Sequence, residues 1–170
     1  ALTDRNGLYG VVRFAEAARA VGLPTVFGTE LSCTGFASSH DGDVVLLAKG
    51  PAGYARMSRA ISEGQLAGRK NEPVFMVDDV ARTVRGHCRV LTGGRDGAVV
   101  RAMEEHGPGA ARRVLHDLVV AFGADDVLVE LWDHGDPMDT IRNDELVRMA
   151  AAMDLQCVAT NNVSYAVPAQ

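Results

Sequence analysis

The chain has 170 residues with a net charge of −5, and 47% of them are hydrophobic against 23% charged. That is one domain's worth of sequence, apolar enough to bury a core and too apolar to stay disordered. The negative balance argues against an electropositive nucleic-acid cradle within this segment, and no apolar run approaches the roughly 18 residues that a membrane span needs.

Three cysteines, Cys33, Cys88 and Cys157, are too widely spaced for a CxxC pair, so zinc-ribbon chemistry is excluded and the thiols read as reduced and cytosolic. No secretory leader opens the sequence, and the expected location is the cytoplasm with no membrane contact.

The chain begins inside what reads as a strand end, Ala1-Leu2-Thr3-Asp4. A parallel strand needs neighbours, so at least one further strand and helix are expected upstream. Apolar residues Leu8, Val11, Val12, Ala15 and Ala18 then recur at helical spacing, until Gly22 and Pro24 stop the helix. Thr25 to Leu31 reads as a strand, Ser32 to Asp43 as a polar loop, and Val44 to Ala48 as a short buried strand. Tyr54 to Leu66 is helical, with Met57, Ile61 and Leu66 inward. Val74 to Arg82 reads as a short strand followed by a helical turn.

Cys88 to Thr92 is a strand closed by Gly93-Gly94, read as a tight turn. Helices over Asp96 to Glu105 and Ala110 to Phe122 follow, separated by Gly107-Pro108-Gly109. Val127 to Trp132 is the most strand-like run, with Trp132 expected in the core. Thr140 to Met153 is a helix on Leu146, Met149, Ala150 and Met153, and Cys157 to Thr160 is the last strand. Strand and helix alternate almost throughout, which favours a parallel α/β fold whose chemistry lies at the C-terminal strand ends. Asp4, Glu30, His134 and Asn162 stand at or just beyond such ends, so they are candidates to converge. No GxxxxGK[ST], GxGxxG or GxSxG motif is present, which leaves P-loop, Rossmann and serine-hydrolase readings without support.

Five runs, taken together and in order, carry a resemblance. They are Ala1-Leu2-Thr3-Asp4-Arg5-Asn6-Gly7-Leu8-Tyr9-Gly10, Phe27-Gly28-Thr29-Glu30-Leu31, Leu91-Thr92-Gly93-Gly94-Arg95-Asp96-Gly97, Glu130-Leu131-Trp132-Asp133-His134-Gly135 and Ala159-Thr160-Asn161-Asn162-Val163-Ser164-Tyr165-Ala166. The chain resembles the PHP (polymerase and histidinol phosphatase) domain family. More narrowly it resembles the N-terminal PHP domain of bacterial DNA polymerase III alpha-type subunits, of the error-prone kind used in damage tolerance. The resemblance implies a distorted seven-stranded (β/α) barrel, here lacking its first strand and helix, with residues 1–170 forming a single domain of a longer polymerase. It also implies a strand-end centre for up to three metal ions, which in active members generate a hydroxide that attacks a phosphoester.

Carried over residue by residue, Asp4, Glu30 and His134 match ligand positions of that centre. Arg5 stands where the family has a His, and a guanidinium cannot lend a lone pair to a metal. Arg5 is expected to pair with Asp4 or Glu30 and take over the ion's electrostatic role. Gly94 stands where polymerase members often carry a Cys, and Asn162 and Ser164 where the family has Asp and His. An amide and a hydroxyl are poor replacements for those ligands on Zn²⁺ or Mn²⁺.

The expectation is therefore a non-catalytic, structural domain without a cofactor of its own, holding Zn or Mn if any metal binds. Its partners would be other domains of the same polymerase chain, with DNA reached through the parent and Mg needed by the parent's polymerase domain. The alternatives are an active metal-dependent phosphoesterase or 3′–5′ proofreading nuclease, and a stand-alone α/β metabolic hydrolase.

Overall fold

The computed structural model describes residues 1–161 and 163. Asn162 and Ser164, both named above as degraded ligand positions, lie outside the described residues. The elements are β1 (Leu2–Arg5), α1 (Val11–Ala20), β2 (Phe27–Thr34), β3 (Gly42–Ala48), α2 (Gly50–Ala67), β4 (Phe75–Met76), α3 (Val77–Val84), β5 (Cys88–Leu91), α4 (Ala98–His106), α5 (Pro108–Phe122), β6 (Val127–Leu131), α6 (Pro137–Ala152) and β7 (Gln156–Ala159).

Six strands form one continuous path, β1-β2-β3-β5-β6-β7, and β4 pairs with β2 off that path. The pairings β1/β2, β5/β6 and β6/β7 are parallel, as strand–helix alternation predicts. However, β3 runs antiparallel to both β2 and β5. This corrects the all-parallel expectation. No helix separates β2 from β3, so the chain returns through a hairpin, which needs no crossover. The loop expected over Ser32 to Asp43 shrinks accordingly, because β2 runs on to Thr34 and β3 starts at Gly42.

Strand alternation sorts the side chains onto two faces. Leu31, Cys33, Val44, Leu46, Val90 and Val129 point to the helix-covered face and are buried in the main core. There they meet Met57 from α2, Val80 and Val84 from α3, and Leu115 and Leu118 from α5. The other face carries Thr3, Glu30, Val45, Leu91 and Glu130. These residues come from five strands but line one common chamber of about 350 Å³. The sheet therefore curls around that chamber, in the manner of a barrel, with β1 and β7 as its two outer strands.

Two local features keep this geometry. Gly28 is required where β2 passes between its neighbours, because a Cβ there would strike the Leu46 carbonyl and crowd Thr3 at 2.8 Å. The start of α6 is fixed by Pro137 and by a capping box in which Asp136 and Asp139 each accept from the other's end of the turn. That cap sets the path of the loop that carries His134.

Candidate functional site

Register places the first group of polar side chains. Arg5 lies opposite Glu30 in the β1/β2 ladder, and Ser32 lies opposite Asp43 in the β2/β3 ladder. Glu30 and Ser32 are two residues apart, so all four side chains share one face. Arg5 occupies the middle of this group. Its guanidinium lies 3.5 Å from Glu30 Oε1, donates to Ser32 Oγ at 3.3 Å, and makes an ion pair with Asp43 at 3.0 Å.

The expected Arg5–Glu30 pair forms, whereas no Arg5–Asp4 pair does. Asp4 turns away and accepts the Gly10 amide at 2.7 Å, which holds the loop leading into α1. Adjacent strand residues point to opposite faces, so Asp4 and Arg5 cannot both serve the same cluster from a regular strand.

Glu30 is half-buried. Its carboxyl is pushed up to about 7, first by burial and then by the hydrogen bond and charge of Asp43, with Arg5 pulling the other way. The carboxylate pair is thus short of positive charge even with Arg5 in place.

A second polar group sits further round the same face. Glu130 is only 5% exposed. Its Oε1 accepts from the Thr160 hydroxyl at 2.6 Å, while Thr92 Oγ1 accepts its backbone amide at 3.0 Å. Burial raises the Glu130 carboxyl, opposed by the Thr160 hydroxyl and the Gly93 amide. Its Oε2 has no hydrogen-bond partner among the described residues.

His134 belongs to a third group. Its ring Nε2 lies 2.9 Å from the Asn161 carbonyl oxygen. A carbonyl only accepts, so Nε2 carries the proton and only Nδ1 could offer a lone pair. The His134 amide donates to Asp139, and that bond comes first among the causes that lower the Asp139 carboxyl. Asp139 pairs with buried Arg142 at 2.7 Å, and the Arg142 guanidinium stacks 3.6 Å over the Trp132 ring. Arg142 and Asn143 both donate to the Trp132 carbonyl. Trp132 is therefore a core residue, as expected, and it anchors the loop.

Gly94 lies in the turn after β5, where it accepts the Gly97 amide, and Gly93 adopts φ of +81°. This is the tight turn read from the Gly93-Gly94 pair. Four contributors went unrecognised in the sequence: Ser32, Asp43, Glu130 and Thr160. Alternation from Glu30 would have found Ser32. Asp43 sits directly before the apolar run Val44 to Ala48, and Glu130 interrupts the most apolar strand, where an unexplained charge is itself a signal.

A metal centre of the implied kind needs several convergent lone-pair donors. Among the described residues no three His, Cys, Asp or Glu side chains come together to hold an ion. The donor set also works against one, since Arg5 holds a fixed positive charge between Glu30 and Asp43. The described residues do not fit such a group.

The PHP domain family matches residues 1–134 of the chain. An error-prone DNA polymerase of Mycolicibacterium paratuberculosis is 43% identical over 176 residues, covering all of this chain and 16% of that protein. The error-prone DNA polymerase of Cutibacterium acnes is 45% identical over 174 residues, covering 98% of this chain and 15% of that protein. The chain thus spans about a sixth of the length of these relatives. A solved structure described as a metal-dependent phosphoesterase from Bifidobacterium adolescentis shares the fold. Its TM-score is 0.58 at 13% identity, with 92% of this chain and 74% of that one covered.

Proposed function

Because the chain belongs to the PHP domain family, we propose that it is the PHP domain of an error-prone DNA polymerase III alpha-type subunit, and that its strand-end centre is structural. One observation carries this reading: the Arg5 guanidinium binds Glu30, Ser32 and Asp43 at once. A guanidinium there supplies the positive charge that holds strand ends together, and it supplies no Lewis acid and no activated water. The domain then acts as a scaffold within a longer polypeptide that performs template-directed DNA synthesis in the cytoplasm. It reaches DNA only through that polypeptide, whose polymerase domain would use Mg²⁺. Among the described residues β1 and β7 each pair on one side only, which supports a further strand between them, supplied by the rest of the polypeptide.

A second reading, a metal-dependent phosphoesterase or 3′–5′ nuclease, draws on Glu30 and His134, which keep ligand chemistry. It would need donors beyond the described residues, and Zn or Mn as its metal.

Elemental analysis after incubation with Zn²⁺ and Mn²⁺ and desalting separates the two. The scaffold reading expects less than about a tenth of an equivalent, because a multi-ligand centre retains its metal through desalting. Two or more equivalents, with 3′–5′ cleavage of single-stranded DNA, would overturn it.

A further inference from the structure

The helix layer outside the sheet leaves a gap over β2 and β3. Each parallel connection carries helix with it: α1 between β1 and β2, α4 and α5 between β5 and β6, and α6 between β6 and β7. The β2/β3 hairpin brings none. A groove of about 570 Å³ accordingly lies between α1 and the first turns of α2. Phe27, at the start of β2, and Ala48, at the end of β3, line it from the sheet, with Val12 from α1 and Tyr54 from α2. Phe27 stands edge-on to Phe14 at 6.2 Å and to Tyr54 at 6.1 Å, so the aromatic floor is held in place. Val12 is nevertheless 66% exposed and Val26 43% exposed, and both line the groove. Contiguous apolar surface left open in this way marks a face that another surface covers.

We propose that an amphipathic helix from the rest of the longer polypeptide docks in this groove and completes the helix layer that the hairpin leaves open. Sheet topology selects a helix over a strand. Both β2 and β3 are paired on each side, so the groove offers no free edge for an added strand, whereas its apolar floor suits a helix that anchors by residues at i, i+3 or i+4, and i+7. The length of the relatives selects the source. This chain spans about a sixth of them, so most of such a polypeptide lies outside the structure. Glu16 and Arg19, exposed and three positions apart on α1, also line the groove. They favour a helix that sets a basic residue against Glu16 and an acidic one against Arg19. The inference rests on reading the chain as one domain of a longer polypeptide, and not on whether its strand-end centre is structural.

The test uses the longer natural polypeptide carrying Val12→Cys, labelled with N-ethylmaleimide and read peptide by peptide in a mass spectrometer. The reference is the same polypeptide unfolded in urea. Labelling at position 12 should be slower in the native protein by about tenfold or more, because the docked helix must leave before the thiol is reached. Val26→Cys gives the same reading from the sheet side if the first variant does not fold. Benzoylphenylalanine in place of Val12 then identifies the occupant by photo-cross-linking. The expected product joins position 12 to a segment of the same polypeptide with apolar residues at helical spacing. Native labelling close to the unfolded rate at both positions overturns the proposal. So does a cross-link to a second copy, recognised by mixing isotope-labelled and unlabelled protein, or to a segment without helical spacing. Metal content does not enter this readout, so two equivalents of bound metal would overturn the structural reading of the strand-end centre and leave the docked helix standing.

Discussion

Replacing Arg5 with methionine keeps much of the side-chain volume and removes the charge. Asp43, whose side chain is 5% exposed, then loses the one ion-pair partner it has among the described residues, and Glu30 loses one that lies 3.5 Å away. At the 3.0 Å separation from Asp43, the gross attraction is on the order of 5 kcal/mol for an effective dielectric of about 20. Arg5 itself is 58% exposed, so screening and its regained hydration reduce the net loss to about 2 kcal/mol. In a domain of this size that is a fall in Tm of about 4–8 °C.

The pH dependence separates this electrostatic cause from lost packing. The Glu30 carboxyl titrates at about 7 in the fold against an ordinary 4.5, so the folded state holds the extra proton between those values. Its contribution to stability is therefore fullest below 4.5 and declines as pH rises to 7. Arg5 opposes that decline by lowering the Glu30 value. Without Arg5 the decline extends to higher pH. The gap between wild type and Arg5→Met should thus be larger at pH 8 than at pH 5, measured by thermal unfolding followed by circular dichroism at low salt. A gap below about 0.5 kcal/mol at pH 8, or one larger at pH 5, would refute the reasoning.

Glu30→Gln should flatten the fall in stability between pH 4.5 and 7 and stabilise the protein at pH 8. The upper bound is about 3 kcal/mol, from the size of the shift, and urea unfolding at the two pH values checks it. Gly53→Ala sets a helix-propensity gain of about 1 kcal/mol against a steric cost of about 1–3 kcal/mol or more. The new Cβ would strike the His87 carbonyl, which is backbone and cannot swing aside. A net loss of stability is expected, and a rise in Tm would show that α2 shifts freely. Met57→Ala removes a fully buried side chain of the main core and should cost about 2–5 kcal/mol in denaturant unfolding. Of the three thiols, exposed Cys157 should react rapidly with a disulfide reagent in the native protein. Buried Cys33, pushed up to about 12 by burial first, should react only on unfolding.

Periodicity alone was enough to find nearly every element, because apolar spacing of two or of three to four residues follows directly from which face is buried. The stretch from Val74 to Arg82 divides, as read, into β4 and α3. The five motifs were enough to identify the family, because each combines a strand end with the turn that follows it. That Arg5 cannot itself ligate a metal was equally legible, since no environment gives a guanidinium a free lone pair at neutral pH.

Strand direction and partnership had to come from the tertiary structure. The antiparallel course of β3 brings Asp43 opposite Ser32, and so places a second carboxylate on Arg5. Nothing local to Asp43 encodes that pairing, because a strand carries its alternation in its own sequence while its register depends on the neighbour. Asp4 shows the same division from the other side. It adjoins Arg5 in the chain, yet the pleat turns it towards Gly10 instead. Glu130 was visible only as a charge in an apolar run. Its burial and its bond to Thr160 arise from the curl of the sheet around one chamber, a property no single segment contains.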